Sequence, residues 1–209
     1  MSLTAFSLCS VSCKKGQALR IGDQDWFAFG AQDSCHFNRN DFGVRVSWKN
    51  STPVNMIIHK SVPERYDADI IAAAAMWNAA TEKSLLRVQR DNSFEGAPGK
   101  DRKNVIYWMS TWDSSAIKEQ ARTSTAVDLS RIIDADIKIN GQNFMYALST
   151  EQIGSNSVSF KSLMIHEMGH VIGLQHFSDG SGVMSPYLAS GLQRLNISSY
   201  ERSEVSCEY

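Results

Sequence analysis

The sequence predicts an α+β domain built on a mostly parallel sheet backed by helices. Three observations carry this. Residues 54–59 (VNMIIH) read as a strand, residues 67–81 as a helix, and the apolar runs at 85–88 and 105–109 as strands again. Strand, helix, strand in that order calls for a right-handed crossover and parallel neighbours. Ile133, Ala135, Ile137 and Ile139 alternate with Asp134, Asp136, Lys138 and Asn140, a period of two that marks a strand with one polar side. At 209 residues and 43% hydrophobic, the chain has the apolar content for one packed domain.

Taken in order, residues 1–13 read as a residual signal or leader segment, with Cys13 a candidate for lipid attachment. Residues 14–44 are rich in Gly, Asp, Asn and Phe without a sustained period, which suggests an irregular arm. The ordered domain covers 45–209, with an upper lobe to 173 and a lower lobe from 174. Pro63 ends the first strand. In the helix that follows, Ile70, Ala74 and Trp77 share a face, and Asp67 or Asp69 is the expected cap. Gly96, Pro98 and Gly99 mark a surface loop. A fourth strand within 122–129 precedes the alternating one, and Ser199 is expected to cap a final helix that runs to Tyr209.

Against 22 acidic residues stand 21 basic ones, for a formal net charge of −1, and no basic run could follow a phosphate backbone. Nucleic acid is not an expected partner. No stretch approaches the ~18 consecutive apolar residues that span a bilayer, so no transmembrane segment is expected. The four cysteines, Cys9, Cys13, Cys35 and Cys207, show no CxxC spacing. A bridge between Cys35 and Cys207, suited to an oxidising compartment, and two free thiols both remain open. The expected location is secreted, periplasmic or at the cell surface.

The chemistry lies in HEMGHVIGLQH, residues 166–176. On a helix His166 and His170 stand one turn apart on one face, so two imidazoles can converge on a single ion. Glu167 sits beside that face, able to reach a water on the metal without being a ligand. Gly173 can take the left-handed conformation that ends a helix and turns the chain, bringing His176 back. Three histidines leave a fourth position for water, the arrangement of a catalytic zinc rather than a structural one. At average residue usage, this pattern arises by chance in a chain of this length with odds on the order of one in 10^5. The remaining histidines, His36 and His59, read as surface or core residues.

HExxHxxGxxH followed by a methionine turn resembles the signature of the metzincin metalloproteases. Gly182-Val183-Met184-Ser185-Pro186-Tyr187 supplies the turn, and its distance from His176 is similar to that of the matrixins. Looser likenesses at 53–58, Trp77-Asn78, 104–108 and Asp136-Ile137 extend the resemblance over residues 48–209. It implies a zincin fold of the α+β class: a twisted, mostly parallel five-stranded sheet, two long helices including the active-site helix, and a small C-terminal lobe with Met-turn and final helix. It further implies one catalytic Zn²⁺, Met184 as a floor beneath the ligands, and a peptide or protein substrate extended along the edge strand within 122–129. Val183, Pro186 and Tyr187 are the expected contributors to the substrate pocket. Zinc would lower the pKa of its water towards 7 and polarise the scissile carbonyl, while Glu167 takes the water's proton and passes it to the leaving amine. The chain is expected to act as a monomer.

The sequence also departs from the family. Residues 112–123 hold no histidine, so no second zinc is expected. No PRCGxPD-like switch is present, and Ser34-Cys35-His36 is a weak substitute as an inhibitory thiolate. Phe177 stands where matrixins usually carry serine, and Pro186 where astacins and serralysins carry a metal-binding tyrosine, with Tyr187 one residue late. Asp134, Asp136 and Asp179 are candidate carboxylates for calcium, although isolated acidic residues in strands and loops are usually solvated. Two other functions compete: a zinc-binding module without activity, and a zinc amidase acting on a non-protein amide such as a cell-wall fragment.

Overall fold

The computed structural model describes residues 35–177 and 181–209. The leader, the arm as far as residue 34, and Asp179 lie outside the described residues. The chain divides into two units, Met1–Cys35 and His36–Tyr209, and the second carries every element below.

Strands β1 (Val54–His59), β2 (Leu86–Asp91), β3 (Asn104–Met109), β4 (Ala121–Asp128) and β5 (Arg131–Asn140) form a five-stranded sheet in the order β2-β1-β3-β5-β4. All neighbours are parallel except β4, which runs antiparallel to β5 and forms one edge. The sheet is mostly parallel, as the strand–helix–strand order requires. Ile58, Val105, Ile106, Ile137 and Ile139 in its central strands are fully buried, as expected where both faces are covered.

Helix α1 (Asp67–Thr81) links β1 to β2 and buries Ile70, Ala73, Ala74 and Trp77. Its expected cap is corrected. The N-cap is Tyr66 and no side chain caps it. Asp67 is held by Arg90, which donates from Nε at 2.7 Å, and Asp69 accepts from the Ser149 N–H at 2.9 Å. The distant partners win both carboxylates because a preceding 3-10 turn, Glu64–Tyr66, already leads the chain into the helix.

The polar side of β5 is also corrected. Asp134 and Asp136 are 3% and 4% exposed. The loop between β2 and β3 bonds across this face: the Gly99 and Val105 N–H groups donate to Asp136, and those of Asp101 and Arg102 to Asp134. These carboxylates anchor a loop instead of facing water, and burial pushes Asp136 up to about 6.

Helix α2 (Phe160–Val171) follows a small parallel pair, β6 (Met145–Ala147) and β7 (Ser157–Ser159). The Ser159 side chain caps it. Two indoles fix its height: Trp77 Nε1 donates to the Ile165 carbonyl at 2.8 Å and Trp48 Nε1 to the Val171 carbonyl at 2.7 Å. Helix α3 (Ser199–Ser206) closes the chain. Its cap is Ser198, not the expected Ser199: Ser198 and Glu201 form a capping box, and the helix stops before Tyr209. Among the described residues, no helix is long and apolar enough to cross a membrane.

Candidate metal centre

Helix α2 presents His166 and His170 one turn apart and then ends on Gly173, whose φ is 101°. The Gly173 N–H donates to the His170 carbonyl at 2.9 Å and the Leu174 N–H to the Gly169 carbonyl at 3.0 Å, the paired bonds of a Schellman motif. A Cβ at Gly173 would stand 3.0 Å from both the Phe37 ring and the Val46 carbonyl, so glycine is needed for space as well as conformation. Beyond the turn the chain pairs with residues 36–38: Asn38 N–H donates to the Gly173 carbonyl and Gln175 N–H to the His36 carbonyl. This pairing delivers His176.

The three Nε2 atoms lie 3.1, 3.1 and 3.2 Å from one another. His166 Nδ1 is 2.7 Å from the Val183 carbonyl and His170 Nδ1 is 2.8 Å from the Leu174 carbonyl. A carbonyl can only accept, so both Nδ1 atoms carry the proton and both Nε2 lone pairs point inward. Neutral imidazoles in that arrangement repel unless a cation lies between them. With Zn–N bonds of about 2.0–2.1 Å, a tetrahedral site needs nitrogens about 3.3 Å apart, and the observed triangle is close to that. Burial, followed by the electrostatic opposition of the adjacent His170 ring to a further proton in the cluster, lowers His166 to about 3 and also lowers His176, which keeps both rings in the neutral form a metal requires. Among the described residues this is the one group of three His, Cys, Asp or Glu side chains close enough to hold an ion. His36 lies instead beside the Tyr200 hydroxyl, and His59 beside Ser61.

Glu167, next along α2, is 4% exposed. Its Oε2 accepts from the Thr123 hydroxyl of β4 at 2.5 Å. Burial pushes the carboxyl above its usual range, with His170 and the Thr123 bond pulling the other way.

Met184 is fully buried against Gly169, the residue that precedes His170 on α2. A Cβ on Gly169 would fall 2.1 Å from Met184 Sδ, so the glycine between Glu167 and His170 exists to admit this sulfur. The turn is fixed from both sides. The Met184 N–H donates to Glu201 Oε1 at 2.8 Å, and its carbonyl accepts from the Phe177 N–H at 3.0 Å. One residue earlier, the Val183 carbonyl orients His166.

A cavity of about 850 Å³ opens beside the three histidines, between the start of β4, α2 and the segment after Met184. Val183, Pro186 and Tyr187 all line it, with Tyr187 82% exposed at the rim. Cys35 and Cys207 are both disulfide-bonded, so Cys35 offers no inhibitory thiolate.

Sequence reasoning missed Thr123, Gly169 and Glu201. Ser198 and Glu201 carried a readable signal, the S-x-x-E spacing of a capping box. Thr123 lies 44 residues from Glu167 and carried none.

No curated protein matches the sequence. The family model for matrixin (peptidase M10) matches residues 37–206, which span the sheet, both long helices, the three histidines and the Met-turn. The chain therefore belongs to the matrixins, a family of zinc-dependent metalloproteases with the metzincin fold.

Proposed function

We propose that the protein is a zinc endopeptidase in which His166, His170 and His176 hold one catalytic ion and Glu167 moves the proton. The observation that carries this is the convergence of three inward Nε2 lone pairs beside a buried carboxylate on the same helix. When bound, zinc supplies Lewis acidity and makes a water acidic enough to lose its proton near neutral pH. Glu167 accepts that proton at Oε1 or Oε2 and returns it to the leaving nitrogen, which one positioned carboxyl can do in both directions. Its raised proton affinity suits this exchange.

The substrate, in this reading, adds as a strand to the outer edge of β4, antiparallel to it, the pairing that is more stable per residue. Its C-terminal part then lies beside Ala121 and its N-terminal part beside Thr125. The side chain after the cut enters the 850 Å³ cavity past Val183, Pro186 and Tyr187. Of the candidate calcium carboxylates among the described residues, Asp134 and Asp136 are both engaged by backbone N–H groups, which favours loop anchoring over a cation as their duty. The two disulfide-bonded cysteines support secretion into an oxidising compartment.

The test is a mixed peptide library digested by the wild type and by Glu167→Gln, with zinc measured in both. Both should hold one zinc per chain and only the wild type should cut. A Glu167→Gln protein that cuts at the wild-type rate would remove Glu167 from the chemistry.

A further inference from the structure

A second cavity, of about 450 Å³, adjoins the histidines further along β4, and its six lining residues are Asn38, Thr123, Thr125, His170, Gln175 and His176. No apolar side chain is among them. The larger cavity differs in kind, since Leu163, Val183, Pro186 and Leu188 contribute to its walls.

The polar lining is held in place by the backbone. Thr123 and Thr125 are two apart on β4 and so present their side chains to the same face. Asn38 and Gln175 flank the antiparallel bridge Phe37↔Leu174, with the Asn38 N–H bonded to the Gly173 carbonyl at 2.8 Å and the Gln175 N–H to the His36 carbonyl at 2.9 Å. Those bonds occupy the main chain. Among the described residues, neither side-chain amide takes part in a hydrogen bond, so half-buried Asn38 and exposed Gln175 both keep a donor and an acceptor for what enters the cavity they line. Apart from the two histidines, nothing in the lining can ionise, so a charged side chain gains no partner there.

We propose that this cavity is the subsite for the residue immediately before the scissile bond and that it selects a neutral hydrogen-bonding side chain, Gln or Asn, over an apolar one of similar size. The inference rests on the endopeptidase reading and on a substrate antiparallel to β4, which brings the N-terminal side of the cut to Thr125. A carboxamide can exchange both a donor and an acceptor with Asn38 or Gln175. An aliphatic side chain would strip water from the half-buried Asn38 amide and return nothing, and it would forgo the bond to exposed Gln175, which for one or two neutral bonds in a half-open site amounts to about a five- to tenfold preference.

Two arms test it on the zinc-loaded full chain. In the first, calorimetry compares N-acetylglutaminyl hydroxamate with N-acetylleucyl hydroxamate, which anchor on the metal and differ only in the side chain on the N-terminal side. The glutaminyl compound should bind about five- to tenfold tighter, and the Asn38→Ala/Gln175→Ala protein should bring the ratio close to one. Should that double variant lose zinc, Asn38→Leu and Gln175→Leu are read singly. In the second, a peptide library cut by the wild type should be enriched in Gln and Asn directly before the cut. A leucyl hydroxamate that binds as tightly, or a ratio that survives both substitutions, overturns the subsite. A glutaminyl preference with an uncut library leaves the subsite standing and sinks the endopeptidase. Cleavage without that preference does the reverse. Failure of both hydroxamates to bind overturns the subsite, and the endopeptidase reading is then decided by whether the same zinc-loaded protein cuts the library.

Discussion

Replacing Gly169 by alanine isolates the contact between the metal-binding helix and the Met-turn. The added Cβ would lie 2.1 Å from Met184 Sδ, 2.9 Å from its Cε and 3.1 Å from Trp77 Cζ2, where carbon contacts ordinarily begin at about 3.5 Å. Neither neighbour can retreat easily. Both are fully buried, and the Trp77 indole is bonded to the Ile165 carbonyl. Alanine in a helix interior normally gains about 1 kcal/mol over glycine, whereas overpacking of this kind costs about 1–3 kcal/mol. With the overlap exceeding 1 Å on a fully buried sulfur, the cost falls at the upper end, for a net loss of about 1–2 kcal/mol. At roughly 2–4 °C per kcal/mol for a chain of this size, the apo protein should melt roughly 2–8 °C lower.

The displacement should also reach the metal. Met184 is bonded through its carbonyl to Phe177, next to His176, and the preceding carbonyl orients His166. Loss of such outer contacts typically weakens metal binding about tenfold or more. Thermal melts of the apo protein and a chelator competition for zinc measure the two effects. Gly154→Ala is the control, since its Cβ would meet only Ser157 Oγ at 3.8 Å. In a Met184→Ala background the Gly169→Ala change should cost little, because the two are coupled through one contact. A Gly169→Ala protein with wild-type melting and wild-type zinc affinity would refute this packing argument.

Three further predictions follow from the same contacts. Thr123→Val removes the hydroxyl that holds Glu167; kcat should drop about 10- to 100-fold with KM little changed and zinc retained, Thr123→Ser should recover most of it, and the acid limb of the pH profile should move up. Equal kcat in the Val variant would contradict it. Asp136 has a folded pKa of about 6, above its unfolded value of 3.8, so its protonated form is favoured by the fold. Its contribution is present below 3.8 and lost as pH rises through 6, so the non-ionisable Asp136→Asn protein should gain on the wild type in melting temperature from pH 4 to pH 7, and a constant difference would count against it. Glu201→Ala takes away both a capping box and the acceptor for the Met184 N–H, and urea unfolding should show a loss of about 3 kcal/mol, with Glu201→Gln losing less.

Much of the fold is legible because local pattern and tertiary need agree. The alanine-rich stretch around Trp77 and the β-branched run of β1 are each consistent with one element only, and the structure places both at the expected residues. The metal centre is legible for a different reason: its ligands come from one helix and one tight turn, so their spacing survives in the sequence. What escaped depends on distant partners. A period of two in β5 cannot tell a face covered by a loop from one covered by water, and Asp134 and Asp136 turned out to be loop anchors. The caps failed likewise, since Arg90 and Ser149 compete for Asp67 and Asp69 from outside the helix. The strands β6 and β7, three residues each, are too short to carry a period. Thr123 reaches Glu167 only because β4 lies across α2 in the folded chain.

The most direct test of the central claim is metal content measured together with cleavage on one sample. The wild type should carry one zinc per chain, lose peptide cleavage when a chelator removes it and recover on adding one equivalent, while His170→Ala neither retains zinc nor recovers. Cleavage that persists in the zinc-free protein, or in His170→Ala, would contradict the account.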